Sequence, residues 1–339
     1  MTRAETRPRV GFLGTGWIGR HRMEALARSG LVEIAAIADP APDQLAAAQV
    51  VAPAATLGSS LEDLLAMELD GIVIATPSAL HADQAVTALE HGAAVFCQKP
   101  LGRTAGETRR VVEAARALDR LLGVDLSYRH LDGVQRIRSL VQEGTLGQVY
   151  AVDLFFHNAY GPDKAWFRDP VLAGGGCLID LGIHLVDLAL WVLDRPGVCS
   201  ADARLFAQGA PLGRQGDVVE DYAIATLDLA NGAVVRLACS WNLSAGRDAV
   251  IEAAFYGTQG GAAVRNVDGS YYDFTAEHYQ GTRRDVLSTP PDAWGGRAAM
   301  TWAQDLAAGA RFDPAAEELI EVAAVIDALY GRSQLGASR

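Results

Sequence analysis

One stretch of the sequence, AGGGCLIDLGIHLVDLALWVLD from Ala173 to Asp194, combines an apolar composition with ionisable side chains. Asp180 and His184 are four residues apart, so they share one face of a helix, and Asp187 continues that face. A helix that is apolar on most sides is normally buried, and burying a carboxylate or an imidazole is costly unless it is paired or used. The pattern predicts either a buried structural pair or a helix that delivers side chains to a functional site.

Such a pair can carry acid–base chemistry on a hydroxyl group. A histidine titrates near neutral pH and can take or give a proton, and a carboxylate can hold the hydroxyl. Asp180 and His184 could instead bind a metal ion, with Asp187 as the nearest third ligand. We expect a structural role for Asp187 and no metal site.

A glycine-rich turn near the start of the chain has the spacing of a dinucleotide site. Gly14, Gly16 and Gly19 follow an apolar strand in the pattern G-x-G-x-x-G, with Trp17 and Ile18 inside it. The first glycine permits a tight turn, the second lets the backbone approach a pyrophosphate, and the third allows close packing of helix on strand. The free N–H groups of the following helix also favour phosphate. The turn predicts a bound dinucleotide.

The next strand, LVEIAAIADP, ends in Asp39, about 20 residues after Gly19, as this fingerprint requires. A carboxylate at this point accepts hydrogen bonds from ribose hydroxyls and repels a 2′-phosphate. Pro40 follows, and the neighbouring sequence has no Lys or Arg. NAD is therefore expected in preference to NADP.

Strand and helix patterns then alternate through LDGIVIATP, HADQAVTALEHG, AAVFCQKP and LLGVDLSYRH. This alternation predicts a doubly wound parallel sheet, whose ligands lie at the carboxyl ends of the strands. Residues at those ends are candidates for contact with cofactor or substrate: Thr76, Pro77, Gln98, Lys99, Tyr128 and Arg129. His81, after TPSAL, is a further candidate for contact with the cofactor. For His81, capping of its own helix is the alternative.

After about residue 130 the pattern changes. The segment GAVVRLACSWN alternates apolar and mixed positions, which is typical of an antiparallel sheet covered on one side. We predict an α/β protein with a Rossmann-type, doubly wound parallel sheet in residues 1–129. An α/β domain with a large, mostly antiparallel, open-faced sheet is predicted in residues 130–339. The uncovered face predicts a homodimer or homotetramer.

Several segments together resemble the Gfo/Idh/MocA family, which includes glucose–fructose oxidoreductase and inositol dehydrogenase. FCQKPLG is similar to its EKP motif, GGGCLIDLGIHLVD to its G-G-x-x-x-D-x-G-x-H-x-x-D signature, and the likeness covers nearly the whole chain. It implies NAD(P)-dependent oxidation of a sugar or polyol hydroxyl, or the reverse, with Lys99, Asp180 and His184 as catalytic residues. Gln98 departs from the usual Glu of the family.

The chemistry of these residue types agrees with that reading. Lys99, beside the expected nicotinamide, would polarise the substrate oxygen. Gly174 to Gly176 would let the helix approach the cofactor. The polar face of the helix would then line a cleft between the two domains. Trp166 and Arg168 are further substrate candidates, with Tyr160, His278 and Tyr279 as weaker ones. Cys97 and Cys177 are expected to be small buried residues.

Composition narrows the class of protein. The chain has 339 residues and a net charge of −12 with no basic run, which argues against nucleic acid or an anionic membrane as partner. Four scattered cysteines, a polar start and no apolar run as long as a membrane span predict a cytoplasmic protein with reduced thiols.

Two other functions fit the same motifs. One is a glycosidase that uses tightly held NAD for transient oxidation, and the other is a nucleotide-sensing regulator that has lost catalysis. The retained Lys99, Asp180 and His184 weigh against the regulator. The identity of the sugar depends on loop conformations that the sequence does not define.

Overall fold

The computed structural model describes residues 7–212 and 218–332, which form two compact units. Within the described residues, the first unit contains 7–102, 106–127 and 295–320, and the second contains 103–105, 128–294 and 321–332. The chain passes from the first unit to the second close to the predicted boundary at 129/130. It differs from the prediction in residues 295–320, which return to the first unit.

The first unit is built on a six-stranded parallel sheet with the order β3-β2-β1-β4-β5-β6. This is the doubly wound order of dinucleotide-binding folds, so the predicted Rossmann-type sheet is confirmed. The strands are β1 Arg9–Leu13, β2 Glu33–Ala38, β3 Thr56–Gly58, β4 Gly71–Ile74, β5 Ala94–Cys97 and β6 Leu122–Val124. The helices are α1 Trp17–Ser29, α2 Pro42–Val51, α3 Leu61–Leu65, α4 Ser78–Glu90 and α5 Ala105–Ala117.

The second unit is built on a nine-stranded sheet with the order β15-β14-β13-β12-β7-β11-β10-β8-β9. Every neighbouring pair is antiparallel except β7 and β11, so the predicted, mostly antiparallel sheet is confirmed. The strands are β7 Val149–Asn158, β8 Val198–Ala207, β9 Ala210–Pro211, β10 Tyr222–Leu229, β11 Val234–Ser240, β12 Ala249–Gly257, β13 Gly261–Asn266, β14 Phe274–Gln280 and β15 Arg283–Ser288.

Helices cover one face of this sheet. They are α6 Asp132–Gln142, α7 Pro170–Ala173 and α8 Ile183–Val192, and α8 continues a π-helical turn at Leu178–Gly182. Short 3₁₀ turns lie at Ser127–His130, Ala165–Arg168, Trp294–Gly296 and Pro314–Glu317. The other face carries exposed apolar side chains such as Ile224 (46% exposed) and Val286 (61%) beside ion pairs such as Arg236 with Asp153. The open-faced sheet expected from the alternation is therefore present.

The helical stretch Pro170–Val192 is long and apolar enough to cross a membrane, so the expectation that no segment reaches that length is wrong. Of its most apolar window, 83% is buried inside the protein. Leu178, Val186 and Leu190 belong to the core that this stretch forms with the sheet. Length and composition are explained by its place as the central helix of the second unit.

Near its end the chain adds two helices, α9 Arg297–Ala307 and α10 Glu318–Leu329. In α9 the buried Trp302 packs on Phe96 of β5, with 5.8 Å between ring centroids. Two glycines make room for the indole: a Cβ at Gly71 in β4 or at Gly123 in β6 would come within 2.7 Å or 2.9 Å of it. Burial of this large side chain explains why residues 295–320 join the first unit.

Replacing Trp302 by Ala should lower the free energy of unfolding by about 3 to 5 kcal/mol, as expected for a buried tryptophan that leaves a cavity. Trp302→Phe is the matched control, because it retains most of the apolar contact and should cost much less. Urea unfolding followed by circular dichroism measures both. Equal stability of the alanine variant and the wild type would contradict the packing role.

Candidate functional site

The glycine turn between β1 and α1 has the geometry that a dinucleotide requires. Gly14 has φ +84°, and a Cβ there would lie 2.6 Å from the Ala75 carbonyl oxygen. At Gly19 a Cβ would lie 2.3 Å from the Gly14 carbonyl oxygen, so helix and strand are in close contact. No described atom lies within 4 Å of a Cβ built on Gly16. The backbone at Gly16 is therefore open to a large group, as pyrophosphate binding needs.

Asp39, at the end of β2, is fixed beside this turn. The backbone N–H and the hydroxyl of Thr15 donate to its Oδ2 at 2.7 Å and 3.1 Å, and the N–H of Ala41 donates to Oδ1 at 2.9 Å. A cation contacts the glycine turn itself. Arg20 in α1 donates through Nη1 to the Thr15 carbonyl oxygen at 2.7 Å and also to Gln44. The sequence flanking Asp39 does not reveal this guanidinium, because α1 brings Arg20 to Thr15.

The other predicted cofactor residues in the turn and at the end of β4 are accessible to different degrees. Trp17 is exposed and stacks on His21, with 5.7 Å between ring centroids, while Ile18 is half-buried. Thr76 donates to Gln84 at 2.6 Å, and Pro77 precedes the first residue of α4. These side chains lie at the carboxyl edge of the sheet, where the topology predicts ligand contacts.

His81 does not fit its predicted role as a cofactor ligand. It is buried, and its two ring nitrogens each lie 2.7 Å from a backbone carbonyl oxygen, those of Thr76 and Pro100. Burial, opposed by these hydrogen bonds, lowers the pKa of the imidazole below its ordinary value. A neutral imidazole has one N–H and donates to only one of these oxygens, and the ring lies between the end of β4 and the residue after Lys99.

Gln98 and the half-buried Lys99 follow β5 directly. The Gln98 side chain donates through Nε2 to Asp125 Oδ2 at 2.7 Å, and Arg22 donates through Nε to the same oxygen at 2.6 Å. All three side chains of this cluster are buried. Sequence reasoning missed Arg22 and Asp125, since neither lies in a recognisable motif.

In the second unit, the three glycines before the apolar helix serve contacts within the chain rather than the predicted approach to cofactor. Gly174 has φ +84° and ends α7. A Cβ on Gly175 would lie 2.1 Å from the Tyr330 hydroxyl, and one on Gly176 would lie 1.9 Å from the Glu220 carbonyl oxygen. No side chain larger than hydrogen fits at the last two positions.

Glu220 and Tyr330 bind the N–H groups at the start of this helix. The buried Glu220 carboxylate accepts from the N–H of Gly176 at 3.0 Å, the N–H of Leu178 at 2.8 Å and the Tyr330 hydroxyl at 2.7 Å. Tyr330 in turn accepts from the Ile179 N–H at 3.2 Å. Burial raises the pKa of Glu220, although these hydrogen bonds oppose the rise. The only sequence signal for Glu220 was an acidic residue immediately before an apolar strand.

Asp180 lies on the π-helical turn and is half-buried. The indole Nε1 of the buried Trp241 donates to its Oδ2 at 3.1 Å. Trp241 also contacts Phe167 edge-to-face, with 6.3 Å between ring centroids. The carboxylate is thus oriented by the residue that follows β11.

His184, one turn further along, lies against aromatic rings. The Tyr128 ring meets it edge-on with 4.9 Å between centroids, and the Phe156 ring lies at 6.3 Å. Tyr128 also packs on Trp294 at 4.9 Å, and burial raises the pKa of its hydroxyl well above the usual range. The structure therefore brings together two predicted site residues, Tyr128 and His184.

Arg129 is used inside the protein and is not supported as a substrate ligand. Its Nε donates to Asp187 Oδ2 at 2.8 Å, and its Nη2 donates to the other carboxylate oxygen. Arg195 lies 3.9 Å from the same buried carboxylate. This pairing confirms the structural role predicted for Asp187 and removes the third ligand that a metal ion would need. Among the described residues, no group of three His, Cys, Asp or Glu side chains is placed to hold a metal.

The remaining loop candidates are dispersed. Trp166 stacks on Phe167 with 3.8 Å between ring centroids, and the exposed Arg168 donates to the Pro162 carbonyl oxygen at 3.0 Å. The other contacts are Tyr160 with Asp248, and Tyr279 with Glu277 and Arg265; His278 Nε2 is buried without a partner among the described residues. Tyr279 lies on the open face of the sheet, which separates it from Asp180 and His184.

All four cysteines have free thiols. Cys97 and Cys177 are buried, as expected, and burial raises the pKa of both. The Sγ atoms of Cys177 and Cys239 lie 4.0 Å apart, and each thiol donates to the other residue's carbonyl oxygen at 3.4 Å. These thiols fill the core behind the π-helical turn.

Comparison with known families decides the class of protein. Residues 8–126 match the model of the oxidoreductase family with an NAD-binding Rossmann fold, and residues 134–263 match the GFO/IDH/MocA C-terminal domain. The chain belongs to the GFO/IDH/MocA family of oxidoreductases. It is thus an NAD(P)-dependent oxidoreductase, as the glycine turn and the motifs around Lys99 and Asp180 predicted.

Individual relatives have different substrates in their names. The chain is 30% identical to D-glucoside 3-dehydrogenase of Escherichia coli K12 over 272 residues, and 28% identical to inositol 2-dehydrogenase of Rhizobium meliloti over 263 residues. Each alignment covers 76% of both chains. The crystal structure of levoglucosan dehydrogenase with NADH superposes with a TM-score of 0.83 at 22% identity, covering 98% of this chain and 100% of that one. That likeness establishes the fold.

The lowered pKa of His81 predicts a fall in the free energy of unfolding on acidification. Because its pKa is lowered in the folded state, the unfolded chain binds the proton first, and stability is lost as the pH falls below about 6.5. His21 and His157 shift in the same direction. Urea unfolding between about pH 8 and pH 5.5 should therefore show a smaller loss for His81→Gln than for the wild type.

Each proton that the unfolded chain binds in excess of the folded protein changes the free energy of unfolding by at most about 1.4 kcal/mol per pH unit. The exposed His91 provides the control, and His91→Gln should follow the wild-type curve. A His81→Gln curve parallel to that of the wild type would contradict the lowered pKa of His81.

Proposed function

We propose that the protein transfers a hydride between a secondary hydroxyl of a sugar or polyol and NAD. The observation that carries the proposal is the placement of Asp180 on the π-helical turn and of His184 four residues later at the start of α8, in a chain whose first unit has an open glycine turn and a fixed Asp39. The family and the sugar-oxidising relatives support the substrate class.

The residues of the first unit fit NAD. Gly14, Gly16 and Gly19 would place backbone N–H groups of α1 at the pyrophosphate, and Asp39 would accept the ribose hydroxyls with its remaining lone pairs. When bound, NAD supplies the hydride acceptor for alcohol oxidation. The buried Asp39 disfavours a 2′-phosphate, so we propose NAD as the preferred cofactor even though Arg20 contacts Thr15.

The chain itself must orient the alcohol and move its proton. We assign to Lys99 the polarisation of the substrate oxygen, to His184 proton transfer, and to Asp180 the binding of a neighbouring hydroxyl. Trp241 would keep the Asp180 carboxylate in one orientation by its hydrogen bond to Oδ2.

Cofactor binding is tested first. Gly16→Ala should retain the fold, since nothing described lies within 4 Å of the added Cβ, yet raise the Kd for NAD about tenfold or more by obstructing the pyrophosphate. Asp39→Ala should reduce the difference between the Kd for NAD and the Kd for NADP. Calorimetric titration with both dinucleotides measures these effects. Tighter NADP binding by the wild type would refute the assignment of Asp39.

Catalysis is tested on a panel of inositols, aldoses and anhydro-sugars followed at the nicotinamide absorbance. Lys99→Ala and His184→Ala should each lower kcat by about 10² to 10⁴-fold while NAD affinity changes little. Their combined effect should be less than multiplicative because both act on one proton. Asp180→Asn should also raise KM. The exposed Lys164 and His91 give matched alanine controls, and near-wild-type kcat in either test variant would remove that residue from the mechanism.

The same panel separates the alternative functions. A glycosidase would release sugar while NAD is regenerated within each turnover, so no net NADH would accumulate. A regulator without catalysis would bind NAD and turn over none of the panel. Net NADH production with a sugar or polyol supports the dehydrogenase.

We also propose that the protein is a cytoplasmic homodimer or homotetramer joined through the open sheet face that carries Ile224 and Val286. Exposed apolar side chains on a broad sheet are normally covered by a partner. Light scattering at micromolar concentration should give the molar mass of a dimer or tetramer. The Ile224→Glu variant should have a smaller average molar mass than the wild type. Val50→Glu, on the exposed surface of α2, is the control. A monomeric wild type would contradict the proposal.

A further inference from the structure

Gln98 is the position at which this chain departs from the family motif, and its side chain is held by a group outside that motif. Nε2 donates to Asp125 Oδ2 at 2.7 Å, and the guanidinium of Arg22 donates to the same oxygen at 2.6 Å. All three side chains are buried, and Asp125 is almost completely so. One cation, one carboxylate and one neutral amide therefore form a charge-balanced cluster directly before Lys99.

The contact with Asp125 determines which atom of the Gln98 amide is left to bind another group. An amide is planar, so with its NH₂ group directed at Asp125 the carbonyl oxygen Oε1 points the other way. Oε1 has no hydrogen-bond partner within residues 7–212 and 218–332, and it is not among the fully enclosed unpaired atoms there. It is an accessible hydrogen-bond acceptor at the carboxyl end of β5, on the edge of the sheet that carries the glycine turn.

We propose that Asp125 is a positioning residue that fixes the Gln98 amide so that Oε1 accepts a hydrogen bond from the bound dinucleotide. Donors of the required chemistry are the carboxamide NH₂ of nicotinamide and the hydroxyls of its ribose. The inference rests on NAD binding under the proposed function and adds to it the group that orients this acceptor. Asp125 acts through Gln98 and has no contact of its own with the cofactor.

The same geometry explains why the chain has glutamine at position 98. A glutamate there would place a second carboxylate oxygen about 2.7 Å from Asp125, where two like charges cannot both be stable and one carboxyl is forced to hold a proton. Asp125 Oδ1 is already buried without a partner among the described residues. The cluster contains a single guanidinium, so it cannot neutralise a second negative charge.

The test is a double-mutant cycle read out as the Kd for NAD, measured by calorimetry on the full chain at about pH 8. Gln98→Glu should raise the Kd about tenfold, because a carboxylate faces Asp125. Gln98→Glu combined with Asp125→Asn should return it to within about threefold of the wild type. In that double variant the cluster again holds one guanidinium and one carboxylate, so its original net charge is restored and the repulsion between two carboxylates is removed. Asp125→Asn alone should change the Kd little, since an amide oxygen can still accept from Gln98.

Two further variants keep the test decisive. Gln98→Leu removes the acceptor without adding charge, so it should also raise the Kd about tenfold even if Gln98→Glu does not fold. Asp70→Asn changes an aspartate at the opposite, amino-terminal edge of the same sheet, where it accepts from the Arg9 N–H, and should leave the Kd unchanged. Thermal unfolding identifies any variant whose Kd reflects loss of fold.

The outcomes separate this inference from the proposed function. A wild-type protein that does not bind NAD would overturn the proposed function, and this inference with it. NAD binding that is equal in the wild type, Gln98→Glu and Gln98→Leu would overturn this inference alone. So would a double variant no better than a folded Gln98→Glu, because position 125 would then not act through position 98.

Discussion

The second unit depends on one buried interaction, the Glu220 carboxylate that binds the first N–H groups of the apolar helix. The first N–H groups of a helix have no partner within it, and a buried N–H without a partner is costly. Glycines leave no side chain at this point to cap the helix, so Glu220 accepts from the N–H groups of Gly176 and Leu178 and from the hydroxyl of Tyr330. Residue 220 is near in space and 44 residues away in sequence. The position of everything that follows on the helix, Asp180 and His184 included, is set by this contact.

Contacts with residues distant in sequence also determine the roles of the ionisable residues in the sequence motifs. Some of them, such as Asp180, are oriented by a residue that follows a strand, while others supply the orientation. His81 lies between the carbonyl oxygens of Thr76 and Pro100, Asp187 binds Arg129, and Asp125 binds the Gln98 amide. Buried polar groups must have partners, so a functional group in an apolar setting brings a second layer of polar residues with it. That second layer carries little signature in the sequence.

The family relationship and the structure answer different questions. Family membership gives the class of chemistry and the cofactor, and relatives at about 30% identity carry names with different sugars. Loops of the second unit hold local contacts such as the Trp166–Phe167 stack and the Tyr160 hydrogen bond to Asp248, and loop residues can in general change without disturbing a core. Aromatic packing around His184, by contrast, is part of the core of the second unit.

The features that the sequence by itself determined depend on residues close together along the chain. The G-x-G-x-x-G turn, the strand ending in Asp39 and the alternation of strands with helices gave the parallel sheet, because tight turns and periodicity depend on neighbouring residues. The helical spacing of Asp180 and His184 and the resemblance to known motifs gave the chemistry. Tertiary structure alone decided what depends on distant partners: the return of Trp302 to the first unit, the use of Gly175 and Gly176 for Tyr330 and Glu220, and the roles of His81, Arg129 and Asp125. The physical reason is that hydrogen bonds and packing act through space, and these pairs are separated by 19 to more than 150 residues of chain.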